Sequence, residues 1–185
     1  MIRLFVGLEL PETVRARLYG LGGGVPGARW IEPENMHMTL RFIGNVNDDS
    51  IADIDGALAR IRAPAFDLEI AGLGEFSRGR RPAMIWAGVR PVPGLMDLER
   101  RIEAAVVKAG FPPDGRRFTP HITLARLKGG APGRVRSFVA EHSLLRIDPF
   151  PVTRFTLFSS HLGRKGASYR AEADYPLAIP EGAQP

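Results

Sequence analysis

The chain has 185 residues, a net charge of +5 and no cysteine. This length fits one domain that is large enough to bury a core. The absence of cysteine excludes disulfides, thiol nucleophiles and Cys-ligated metal centres, so any catalysis must use histidine, carboxylate, hydroxyl or arginine side chains. Because Arg3 and Glu9 interrupt the apolar N-terminus and no later stretch approaches about 18 apolar residues, we expect a soluble cytoplasmic protein without a membrane span.

Strand and helix patterns alternate along the chain. In chain order they predict a strand at 2–9, a helix at 14–21, strands at 29–31 and 37–43, a helix at 51–61, strands at 66–76 and 83–89, a helix at 95–106, a strand at 118–126, a short helix at 135–142 and strands at 154–162 and 168–177. Helix ends are marked by the glycines at 22–24, by Pro64 and by Gly110. The mixture of helices and antiparallel hairpins indicates the α+β class. We expect one domain over residues 1–180 and a short tail at 181–185.

Two of the four histidines stand in nearly the same tetrapeptide. The two segments lie 84 residues apart and read His37-Met38-Thr39-Leu40 and His121-Ile122-Thr123-Leu124. On a strand, residues i and i+2 share a face with their Cα atoms about 6.6 Å apart, so each motif presents an imidazole beside a hydroxyl. Because similar elements precede both motifs, we predict a duplicated unit that forms two similar lobes of antiparallel strands flanked by helices, with a central cleft and an approximate two-fold axis.

Paired histidines suit in-line displacement at phosphorus, which needs a proton acceptor and a proton donor on opposite sides of the phosphate. An imidazole with an ordinary pKa of about 6.5 serves in either role near neutral pH. Threonine hydroxyls and a nearby arginine can hold the phosphate oxygens.

Two other interpretations compete. A metal site is disfavoured because H-E-x-x-H and H-x-H are absent and no cysteine is present. Histidines that only satisfy hydrogen bonds in a sheet would be the expected reading of either motif alone, but not of a duplicated pair. We therefore expect neither a metal nor a cofactor.

The segments 37–44 and 119–126 resemble the paired H-x-T-x motifs of the two-histidine (2H) phosphoesterase superfamily. Within it, the chain is similar to the RNA 2′,3′-cyclic phosphodiesterases, also known as 2′-5′ RNA ligases. The resemblance extends over nearly the whole chain, from the strand that begins at Arg3 to the closing strands around Ser159 and Tyr169.

This resemblance implies metal-independent hydrolysis of an RNA-terminal 2′,3′-cyclic phosphate to a 2′-phosphate, with 2′-5′ ligation as the reverse reaction. It implies that His121 is the proton acceptor and His37 the proton donor, while Thr39, Thr123 and Arg126 hold the phosphate. A flat strand would direct Arg126 away from His121, so this interpretation requires that the strand ends, twists or bulges there. Arg41 has the same parity as His37 and is the alternative cation.

Several further residues are candidates with a plainer interpretation beside them. Phe5 and Phe42 can stack on a nucleobase, although an aromatic residue in a strand more often packs in the core. The cluster Arg78, Arg80 and Arg81 contacts RNA phosphates or is a solvated loop. His142 and His161 are interpreted as surface or structural residues.

The substrate class is open at this point. RNA with a cyclic phosphate end is the main expectation, and the alternatives are a small cyclic phosphate of a nucleotide or sugar, or a binding module for RNA ends that lacks turnover. Two intact His–Thr pairs argue against the binding module, because binding alone needs no acid–base groups. We expect a monomer that does not associate with membranes.

Overall fold

The computed structural model describes residues 1–129, 131–163 and 166–179. The tail predicted at 181–185 lies outside the described residues. The described elements are, in order, β1 (Ile2–Glu9), α1 (Glu12–Tyr19), β2 (Ala28–Trp30), a 3-10 turn (Pro33–Asn35), β3 (His37–Val46), α2 (Asp48–Leu58), β4 (Phe66–Arg78), β5 (Arg81–Val89), α3 (Pro93–Lys108), β6 (His121–Leu127), α4 (Pro132–Glu141), β7 (Arg146–Val152), β8 (Arg154–Gly163) and β9 (Gly166–Pro176).

These strands form an antiparallel sheet in the order β7-β4-β5-β6-β3-β1-β8-β9, with β2 beside β6. The middle of the sheet is a narrow junction, since β3 and β6 pair only through Met38 and Ile122. Along this order four strands lie on each side of the junction, β2 adds a fifth to the side of β6, and the two strands that meet at the junction carry the two histidine motifs. The α+β class and the two similar lobes predicted from the sequence are confirmed.

The two lobes are interleaved along the chain. A strand and a helix precede each motif strand: β1 and α1 precede β3, with the short β2 and the 3-10 turn in between, and β5 and α3 precede β6. The lobe that contains β1 and β3 is completed by β8 and β9, which come from the far end of the chain. No cut of the sequence therefore separates the lobes.

The helices cover one face of the sheet and leave the other open. Helix α3 begins with Pro93 in its first turn and buries a stripe with helical spacing, formed by Leu95, Leu98, Ile102 and Val106. Core-facing strand residues such as Leu4, Val6, Ile85 and Ile122 are buried beneath the helices. The open face consequently carries the side chains that alternate with these core positions.

The structure corrects the predicted strands at two places. Strand β7 (Arg146–Val152) was not predicted, because Pro149 and Pro151 break the usual strand signal. Strand β7 lies at the edge of the sheet. Proline is tolerated there because one side of an edge strand has no neighbouring strand to which its N–H groups must donate. In addition, β6 begins at His121 itself rather than near residue 118.

Candidate active site

Each motif strand bulges at its leucine. The register of β3 against β1 leaves Leu40 without a partner, and the register of β6 against β5 leaves Leu124 without one. Two consecutive side chains of each strand therefore face the helices, namely Leu40 and Arg41 on β3, and Leu124 and Ala125 on β6. The next residues return to the open face beside the histidines: Phe42 and Arg126.

The bulges place the two predicted cations on different faces of the sheet. Arg126 lies on the open face with His121, as the bulge requires. Arg41 is buried instead, with 6% of its surface exposed, and forms an ion pair with Glu103 of α3. Its guanidinium also donates to the carbonyl oxygens of Phe42 and Pro112. The prediction that Arg41 lies beside His37 was wrong, because alternation by two fails across a bulge.

Both imidazoles are held in the same way. Nδ1 of His37 lies 2.9 Å from the carbonyl oxygen of Asn35, and Nδ1 of His121 lies 2.7 Å from that of Thr119. A carbonyl oxygen only accepts, so Nδ1 carries a proton in each ring and donates it. In the neutral rings this leaves Nε2 with its lone pair, and Nε2 of His37 lies 3.1 Å from Oγ1 of Thr39. Both rings thus offer Nε2 for proton transfer.

Aromatic side chains pack around both histidines. The ring centroids of Phe5 and Tyr169 each lie 4.7 Å from that of His37, with the Tyr169 ring edge-on. On the other side, Phe76 meets His121 edge-on at 5.0 Å and Trp86 lies at 6.1 Å. These contacts fix the ring planes, while each Nδ1 hydrogen bond fixes the rotation of its ring.

Burial and positive charge lower the pKa of both histidines. Burial is the main cause at His37, where the charges of Arg126 and His121 lower the pKa further, to about 4, although the hydrogen bond to Asn35 opposes this. Burial also lowers the pKa of His121, with a contribution from Arg126. Because Arg126 affects both rings, its guanidinium lies within electrostatic reach of both. A bound anion would offset this positive charge at both rings.

The two threonine hydroxyls have partners of different strength. Oγ1 of Thr39 contacts the His37 ring, and Oγ1 of Thr123 donates to the sulfur of Met84 at 3.4 Å. A thioether is a weak acceptor, so this hydroxyl can turn to a better one at little cost. Both threonines share the open face with their histidines.

The two aromatic candidates differ in exposure. Phe42 is 44% exposed on the open face and can receive a flat ligand. Phe5 is 1% exposed and packs against the rings of both His37 and Phe158, so it supports the imidazole and is not available for stacking. Of the two interpretations given to Phe5, the structure shows packing in the interior.

Trp86, Phe76 and Tyr169 were not predicted as site residues. One signal was available, because Phe5-Val6-Gly7 and Trp86-Ala87-Gly88 repeat an aromatic-x-Gly pattern on the strands next to the two motifs. The glycines are required by close approach: a Cβ at position 7 would lie 2.8 Å from a backbone oxygen, and one at position 88 would lie 2.5 Å from another.

No group of three or more His, Asp or Glu side chains in the described part of the chain could hold a metal ion. Among the same residues, no helix is both long and apolar enough to cross a membrane.

Comparison with known proteins gives a consistent family. Residues 15–164 match the family model described as 2′-5′ RNA ligase superfamily. A protein of Aeropyrum pernix named RNA 2′,3′-cyclic phosphodiesterase is 38% identical over 150 residues, which is 80% of this chain and 84% of the relative. A protein of the same name from Thermotoga maritima is 34% identical, with 91% and 92% of the two chains covered.

Solved structures share the fold over almost the whole length. The protein TT0787 of Thermus thermophilus has a TM-score of 0.78 at 29% identity and covers 96% of this chain and 99% of its own. The apo form of Escherichia coli LigT has a TM-score of 0.78 at 27% identity, with 96% and 98% covered. LigT has also been crystallised with 3′-AMP.

Proposed function

The chain belongs to the 2′-5′ RNA ligase superfamily, and we propose that it hydrolyses the 2′,3′-cyclic phosphate at an RNA 3′ end to a 2′-phosphate. One observation carries the proposal: two equivalent His–Thr pairs offer Nε2 atoms and hydroxyls to the same open face, beside one arginine. This set supplies an acid, a base and phosphate ligands without any further group. The relatives named RNA 2′,3′-cyclic phosphodiesterase support the same chemistry.

In the proposed reaction, Nε2 of His121 takes a proton from a water molecule as its oxygen attacks phosphorus. The bond from phosphorus to the ribose 3′ oxygen breaks on the opposite side, and Nε2–H of His37 protonates that oxygen. Each histidine ends in the state in which the other began, and exchange of protons with solvent resets the pair. Thr39, Thr123 and Arg126 hold the non-bridging oxygens, where negative charge accumulates.

A proton donor must be protonated before the reaction, but the pKa of about 4 leaves His37 neutral near pH 7 in the free protein. The anionic phosphate must therefore raise this pKa when it binds, since an opposite charge favours the protonated imidazole. The positive charge of Arg126 lowers the pKa of both histidines, and the phosphate offsets this charge by pairing with the guanidinium. Substrate binding and protonation of His37 are thus coupled.

The direct test uses an oligoribonucleotide that ends in a 2′,3′-cyclic phosphate, in buffer with EDTA. The wild-type protein is expected to produce a 2′-phosphate end, and His37→Ala and His121→Ala should each lower kcat by about a hundredfold or more. His142→Ala is the matched control, because this histidine lies at the end of α4 and contacts Phe138. Absence of turnover by the wild type, or turnover that EDTA removes, would contradict the proposal.

The two histidine roles can be separated by the leaving group. A cyclic phosphorothiolate with sulfur in place of the 3′ oxygen has a leaving group that needs little protonation. It should rescue His37→Ala and leave His121→Ala inactive. Rescue of His121→Ala alone would show that the roles are exchanged.

A further inference from the structure

Arginines without an ion-pair partner gather at one end of the cleft. Arg29, Arg78, Arg81 and Arg126 are all exposed, and none of them pairs with a carboxylate in the part of the chain that the structure describes. Some exposed arginines elsewhere, such as Arg101, pair with a neighbouring acid, whereas others, such as Arg60 and Arg62, have no such partner among the described residues, so this group is distinguished by its common position beside the site. The positive charge at this end of the cleft is therefore available to an external anion.

Strand register places these residues in a row on the open face. Arg29 of β2 is opposite Arg126 of β6, which is opposite Met84 of β5, which in turn is opposite Phe76 of β4. This row spans three strand spacings, or about 14 Å. Two residues beyond Phe76, at the tip of the β4–β5 hairpin, Arg78 is opposite Arg81. We call Arg29, Phe76, Arg78 and Arg81 the hairpin strip.

Phe76 gives the strip an apolar contact. Its side chain is 36% exposed, and it meets His121 edge-on, with Trp86 as its other aromatic neighbour. Single-stranded nucleic acids are bound by this combination, in which cations follow the phosphates and an aromatic ring stacks on a base. One exposed ring among cations is too small an apolar surface for a membrane or a stable protein interface.

We propose that the hairpin strip binds the nucleotides that precede the cyclic end of a single-stranded RNA. The inference rests on the proposed function, since the terminal phosphate must lie at the histidines for preceding phosphates to reach the strip. It identifies the substrate as an oligonucleotide, because a mononucleoside cyclic phosphate leaves the strip empty. Arg126 connects the two regions, being both next to the histidines and directly opposite Arg29.

The experiment compares kcat/KM for a nucleoside 2′,3′-cyclic phosphate with kcat/KM for a tetranucleotide ending in the same group. The wild type is expected to favour the tetranucleotide by about tenfold or more. In the double variant Arg78→Ala/Arg81→Ala this preference should fall towards one. In the same variant, the slope of the logarithm of this preference against the logarithm of the salt concentration should become shallower by about 1.4. This change corresponds to the loss of two phosphate contacts on a single strand.

The matched control is Arg60→Ala/Arg62→Ala, which removes two exposed arginines from the connection between α2 and β4 and should retain the preference. A blunt duplex with the same cyclic end should react more slowly than the single strand. Equal rates on the short and long substrates, an unchanged preference in the hairpin variant, or a duplex that reacts as well would each overturn the inference. Failure of both substrates in the wild type would instead contradict the proposed function.

Discussion

Burial of a neutral His37 should make the fold sensitive to acid. The imidazole lies among Phe5, Phe158 and Tyr169, and burial lowers its pKa to about 4 from the 6.5 of an exposed histidine. Between these two values the unfolded chain binds a proton that the folded chain does not bind. The free energy of unfolding therefore falls as pH decreases from 6.5 towards 4, and above 6.5 this histidine contributes no pH dependence.

The size of the effect follows from the difference in pKa. Each pKa unit corresponds to about 1.4 kcal/mol, so the full loss is about 3 kcal/mol, of which about 2 kcal/mol is reached by about pH 5. His37→Asn removes the titrating ring, and its side-chain amide can still donate to the Asn35 carbonyl. The variant should consequently lose about 2 kcal/mol less than the wild type between about pH 8 and pH 5.

Urea unfolding at the two pH values measures this difference, because the pH-independent cost of the substitution cancels within each protein. If the variant and the wild type lose the same free energy of unfolding on acidification, His37 is protonated freely in the folded state. Substrate would then not need to raise the pKa of His37 for this residue to act as the proton donor.

Two further substitutions test the packing behind the site. Glu103→Ala leaves the charge of Arg41 buried and unpaired and should cost about 3 kcal/mol in urea unfolding, whereas a cost below about 1 kcal/mol would show that this arginine reaches solvent. Gly74→Ala places a Cβ far inside van der Waals distance of the Trp86 ring, so it should displace the indole, change its near-UV signal and lower kcat/KM. Gly56→Ala in α2, where a Cβ meets nothing within 4 Å, should retain activity and stability and serves as the control.

The placement of the two His–Thr pairs could be predicted from the sequence because it is encoded locally. An imidazole and a hydroxyl two residues apart on a strand share a face whatever the rest of the fold does. Helix stripes and most strands were readable for the same reason. The edge strand β7 was missed because Pro149 and Pro151 carry the opposite local signal, and only its position at the edge of the sheet makes it a strand.

The features that sequence patterns missed depend on the partners of each strand. The alternation of side chains along a strand predicted that Arg41 lies at the site. However, β3 has a bulge at Leu40, where it pairs with β1, and the side chain of Arg41 therefore points towards Glu103. Likewise, Tyr169 reaches His37 only because β9, from the end of the chain, completes the lobe begun by β1. Contacts between residues so distant in sequence leave no periodicity to detect.

The duplication is symmetric at the two His–Thr pairs and asymmetric at the residues beside them. Each motif supplies an Nε2, a hydroxyl and a bulge at the same leucine, but the residue returned to the open face is Phe42 on one strand and Arg126 on the other. Because β3 and β6 are antiparallel, these two residues point to opposite ends of the cleft. An aromatic ring at one end and a cation continuous with the hairpin strip at the other distinguish the two directions along the cleft. In the proposed reaction, two equivalent histidines alone would accept a phosphate in either orientation, so the difference between Phe42 and Arg126 is the feature that would assign the donor and acceptor roles.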